Sequence, residues 1–99
     1  MSEDLQKKLN ALKEAFIKRL ESTMNEISSW ESRDHIDEFV TIIHKLAGTA
    51  GTYGYPNIST GMKQLEQNVA ICRDHALSDE QALVFYRRAC EIIKKDIQC

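Results

Sequence analysis

A chain of 99 residues suffices for one domain with a single small core and is too short for two. Its 42% apolar and 28% charged residues suit a globular protein in water, and one proline with four glycines supplies too few turns for an all-β fold. A net charge of -2, with no block of like charge, excludes a nucleic-acid binder that works by neutralising phosphates.

Cys72, Cys90 and Cys99 are odd in number and form no C-x-x-C pair, so neither a disulfide framework nor a zinc site is expected. A reducing cytoplasm is the natural location. Cys72 and Cys90 fall on apolar stripes and read as small core residues, whereas Cys99 is terminal and expected to be exposed. The opening "MSEDLQKK" has no signal-peptide core, and no apolar run approaches membrane-spanning length, so no membrane partner is expected.

The periodicity predicts four helices in one domain spanning residues 1–99. The first carries Leu5, Leu9, Leu12, Phe16, Leu20, Met24 and Ile27 on one stripe, with Trp30 near its end before the polar "SSWESRD". The second begins around Asp34 and carries Ile36, Phe39, Val40, Ile43, Leu46, Ala47 and Ala50. The third starts near Pro56, a residue suited to a first helical turn, and carries Ile58, Met62, Leu65, Val69 and Cys72. The fourth opens at Ser78 with "SDEQ", a capping box in which Gln81 reaches back to the cap. Its stripe is Ala82, Tyr86, Ala89, Ile93 and Ile97. Each helix has one wet and one apolar face, so none stands alone. Short connections make neighbours antiparallel, and the expected fold is an all-α, up-down four-helix bundle.

All four glycines, at 48, 51, 54 and 61, follow one histidine, His44. On a helical wheel centred on Ile43, His44 lies at about 100°, the edge between buried and exposed faces. Gly51 lies at about 80° and Gly48 at about 140°, so the strip beyond His44 is bare backbone. A glycine inside a helix costs about 1 kcal/mol relative to alanine. That cost is offset if another molecule must approach the imidazole closely. A lone histidine on a helix edge is more often a half-exposed polar residue, and the glycines on its strip are what reverse that preference. A phosphate-cradling loop is disfavoured, because "GTAGTYG" has neither nucleotide-loop spacing and no strand precedes it.

The stretch "HKLAGTAGTYG" resembles the signature of histidine-containing phosphotransfer (HPt) domains, roughly H-x-[LI]-[KR]-G-[SAT]-[AS]-x-x-x-G. His44, Leu46, Gly48, Thr49, Ala50 and Gly54 match it, and Ile58, Leu65 and Glu66 stand where the family shows its "L…LE" pattern. The resemblance implies a phosphorelay intermediate. His44 would accept a phosphoryl group from the aspartyl phosphate of a receiver domain and pass it to another receiver. The partners implied are receivers of response regulators or of a hybrid histidine kinase. The chain would be a phosphocarrier rather than an enzyme, with no cofactor of its own, because the receiver brings the carboxylate and Mg²⁺. Gly48 would make room for the receiver, and Glu66 would hold one ring nitrogen so that the other is free to attack.

One position departs from the pattern. Where the family usually has lysine or arginine, this chain has Ala47, and Lys45 and Lys63 are the substitutes at hand. Asp37, Thr41, Ala47 and Gly51 are expected to rim the docking surface. Tyr53 and Tyr55 suit core or contact equally, and His35 reads as a surface residue. Cys72 and His75 have a spacing compatible with a metal, but two ligands fall short of a site, so none is expected.

Two other readings share this fold: an adaptor that docks on receivers without carrying phosphate, and the phosphoacceptor module of a larger histidine kinase. Met1 and a fourth helix running almost to Cys99 favour a free-standing protein or a trimmed piece.

Overall fold

The computed structural model describes residues 3–98. Helix α1 spans Glu3–Ser28, α2 Ile36–Thr49, α3 Pro56–Arg73 and α4 Asp79–Ile97. Helix α2 packs on α3, α3 on α4 and α4 on α1, and the described residues contain no strand. The fold is the expected all-α four-helix bundle. The predicted caps are present: Pro56 sits in the first turn of α3, and the capping box at Ser78 and Gln81 is formed in both directions. Around Asp34, the expected start of the second helix, residues Arg33–His35 instead make a short 3₁₀ turn capped by the Ser32 hydroxyl.

The core holds Phe16, Leu20 and Ile27 of α1, Phe39, Ile43, Leu46 and Ala47 of α2, Ile58, Met62, Leu65 and Val69 of α3, and Ala82, Tyr86, Ala89 and Ile93 of α4. These follow the predicted stripes, and each large buried side chain contributes about 1.5–3 kcal/mol. Cys72, Cys90 and Ile97 are only half-buried against this core. Burial, followed by the charge of Glu91, pushes the Cys90 thiol up from its usual pKa, as suits a packing residue rather than a nucleophile. Cys99 lies outside the described residues.

The first stripe needs correction. Leu5, Leu9 and Leu12 are about half exposed rather than buried. At 26 residues α1 runs about 39 Å, and its first turns pass beyond the bundle, whose long axis reaches 54 Å. The α2–α3 turn, with Thr52, Tyr53 and Gly54, flanks a groove beside Leu9 and Leu12 there.

Two aromatic clusters fix the ends of the bundle. At one end Phe16 stacks on Tyr53 with ring centres 4.6 Å apart and touches Tyr55, so both tyrosines pack on the core beneath the α2–α3 turn. At the other, Trp30 meets Phe39 and Tyr86 edge-on and stacks on His35 at 4.8 Å. His35 is therefore half-buried on an indole rather than a free surface residue. The Tyr86 hydroxyl donates to the Ser32 carbonyl, and the Arg33 guanidinium to that of Leu77, tying the two loops at that end together.

Candidate functional site

Helix α2 brings His44 to the outer edge of its contact with α3. Its neighbours Ile43, Leu46 and Ala47 are buried, which orients the helix and leaves the imidazole 74% exposed. Across the helix pair, Glu66 of α3 places Oε2 2.9 Å from His44 Nδ1. A carboxylate offers only acceptors, so Nδ1 carries the proton in this contact and donates it to Glu66. In the neutral imidazole that leaves Nε2 with its lone pair, on a ring open to solvent. Glu66 is itself only 31% exposed, its side chain braced against the bundle. The two residues are far apart in sequence and are joined by the antiparallel register of α2 and α3.

The same register makes two further contacts along this seam. Toward the α2–α3 turn, the Ser59 hydroxyl donates to the Ala47 carbonyl at 2.6 Å, fastening the last turn of α2. Toward the other end, Arg73 of α3 pairs with Asp37 of α2. Neither contact is foreshadowed in the sequence, since a polar residue on a wet helix face carries no mark of its partner.

The four glycines have four different surroundings. A Cβ on Gly48 would meet nothing within 4 Å, so nothing inside the protein requires glycine there. A Cβ on Gly51 would make ordinary contact with Ser59 at 3.8 Å. Gly54 has φ +89°, where a side chain is strained, as the chain turns back after α2. Gly61 packs against Ile92 of α4, whose Cγ2 would lie 2.9 Å from an added Cβ. Gly51 also falls beyond the end of α2 at Thr49, so the wheel that placed it beside His44 does not extend that far.

The other expected residues divide. Asp37 and Thr41 are exposed on the His44 side of α2; Asp37 is held by Arg73, and the Thr41 hydroxyl donates to the Asp37 carbonyl. Ala47 is 7% exposed, its methyl turned into the core, and it does not belong to an exposed rim. Lys45 and Lys63 are exposed and form no ion pair among the described residues. Cys72 and His75 gather no further ligand, and no group of three metal-ligating side chains occurs among the described residues. No described helix is long and apolar enough to cross a membrane.

The site is thus an exposed imidazole on a four-helix bundle, oriented by one carboxylate. The family model described as Hpt domain matches residues 3–97, nearly the whole chain, and the chain belongs to that family. No curated protein and no solved structure matches it. Hpt domains are phosphocarrier modules that serve histidine phosphotransfer in phosphorelays, working with the receiver domains and kinases of two-component systems.

Proposed function

We propose that His44 is the phosphoacceptor and that Nε2 is the attacking atom. The observation that carries this reading is the 2.9 Å contact of Nδ1 with Glu66 on a ring that is 74% exposed. The Nε2 lone pair attacks the phosphorus of a receiver's aspartyl phosphate. The N–P bond forms as the P–O bond to the aspartate breaks, and the carboxylate leaves with the electron pair. Transfer onward is the same exchange run against a second receiver's aspartate. Phosphoryl transfer depends mainly on positioning and charge stabilisation, so the domain contributes a placed nucleophile while the receiver contributes the carboxylate and Mg²⁺.

Glu66 holds the ring in the tautomer that leaves Nε2 free. Open backbone at Gly48 lets the receiver's active site close over the imidazole. Docking is brief, because a relay must release each partner, and a modest patch around His44 suits it.

Incubation with phosphorylated receiver domains tests the assignment. The label is expected on His44 as an acid-labile, alkali-stable adduct, and a His44→Gln chain that still takes up label would refute it. The adaptor reading draws support from Ala47, which leaves no basic side chain at that position of α2. It predicts receiver binding with no label at all.

A further inference from the structure

We propose that Lys63 supplies the positive charge that binds the phosphoryl group on His44, reaching it from α3 across the open backbone of Gly48. The proposal deepens the reading of His44 as the phosphoacceptor and rests on it.

The register of the α2–α3 seam places Lys63. Three contacts fix that register: Ala47 beside Ser59, His44 beside Glu66 and Asp37 beside Arg73. Residues on one helix face recur every three or four positions. One turn from the His44–Glu66 pair, toward the α2–α3 turn, therefore brings Gly48 on α2 to within one residue of the level of Lys63 on α3. Lys63 lies between Ser59 and Glu66 on the same flank of α3, and it is exposed.

The space it would cross is open. A Cβ at Gly48 would touch nothing within 4 Å, so no side chain occupies that surface in the structure. A lysine stem has four rotatable methylenes and can lay its length on such a surface while its ammonium seeks charge. Bound phosphate on Nε2 would provide that charge, about -2 near neutral pH.

The other cations on the two helices are less suited. Helices α2 and α3 carry Lys45, Lys63 and Arg73 besides His44. Arg73 is engaged by Asp37. Lys45 follows His44 directly and so points about 100° around α2 from it. That rotation runs away from the seam where Glu66 sits. Lys63 is the remaining permanent cation of these two helices on the histidine's side, and Gly48 then leaves room for it as well as for the incoming partner.

The test uses the intact chain and phosphoramidate, a small donor that needs no docking surface. The Nε2–P bond forms as the P–N bond of phosphoramidate breaks and ammonia leaves with the electron pair. Wild type, Lys63→Gln, Lys63→Arg and Lys45→Gln are compared for uptake on His44 and for the pH titration of the ³¹P resonance, with thermal melts alongside. Lys63→Gln is expected to take up phosphate about three- to tenfold more slowly, with Lys63→Arg close to wild type. The phosphoryl group should also titrate at higher pH in Lys63→Gln, because a nearby cation favours the dianion. Lys45→Gln should match wild type in both readouts, and all four should melt alike. Equal uptake and equal titration in wild type and Lys63→Gln would overturn the assignment to Lys63 alone. No label on His44 in wild type would overturn the phosphoacceptor reading and this assignment together.

Discussion

His44 Nδ1 and Glu66 Oε2 stand 2.9 Å apart across the α2–α3 seam, a contact that selects which ring nitrogen keeps its lone pair. Both side chains are partly in water, so solvent screens the pair and its worth is modest. Glu66→Ala is expected to slow phosphoryl uptake about three- to tenfold, whereas Glu66→Gln, whose amide oxygen still accepts from Nδ1–H, should retain most of the rate. Uptake from a phosphorylated receiver, followed beside the thermal melt, checks this. An equal loss in both variants would show that charge, and not hydrogen-bond acceptance, is what matters.

Gly48 separates stability from function. Because a Cβ there meets nothing, Gly48→Ala should stabilise the isolated domain by about 1 kcal/mol through helix propensity. That corresponds to a rise in Tm of about 4–8 °C for a domain of this size. A bulky replacement, Gly48→Trp, should melt no lower than wild type yet transfer phosphate to and from receivers at least tenfold more slowly, as the ring obstructs docking. Melting curves and transfer rates measured on the same samples decide it.

The remaining two informative glycines should behave in the opposite sense. Gly54→Ala puts a side chain at φ +89°, and the strain should cost about 1–2 kcal/mol. Gly61→Ala drives a methyl against Ile92 of α4 and should cost about 1–3 kcal/mol by overpacking. Denaturant melts read both. In neither case is the chemistry at His44 itself altered, so label per folded molecule should stay near wild type.

The sequence exposes the bundle through its repeats and caps. Helices α2 to α4 bury most of the residues their stripes specify, because each stripe has another helix opposite it, and leave Ile36, Val40, Cys72 and Ile97 half-buried. Leu5, Leu9 and Leu12 carry an equally good pattern yet stand half exposed, since periodicity reports an amphipathic helix and not the length of its neighbours. Against 26 residues in α1, the partner α4 has 19, and its end leaves the first turns of α1 uncovered. At the site, His44 and Glu66 are legible because glycine spacing and the family pattern mark both. Gly51 is misplaced by a wheel that assumes the helix continues past Thr49. Ser59 and Arg73 are illegible for a different reason: their roles come from cross-helix register, which no single helix encodes.

Tyr86 makes the fold less stable at alkaline pH. Burial first, and then the charge of Asp34, raises its phenol above the ordinary value of 10.0, while its hydroxyl donates to the Ser32 carbonyl. The unfolded phenol loses its proton first as pH rises, so the folded state binds more protons there and stability falls. Stability from this group is complete below about pH 10 and is lost above it, through the raised folded value. Tyr86→Phe should lower stability at pH 7 by about 0.5–1.5 kcal/mol through the lost hydrogen bond, and should flatten the decline above pH 10. Urea melts at pH 7 and across the alkaline range test both parts.

The central claim concerns one atom, and ¹⁵N–³¹P correlation NMR on the phosphorylated, ¹⁵N-labelled domain addresses it most directly. The account predicts a single phosphorus coupled to Nε2 of His44, with Nδ1 still protonated against Glu66. Phosphorus on Nδ1, on His35 or His75, or on an aspartate, with the His44 imidazole left unmodified, would contradict it.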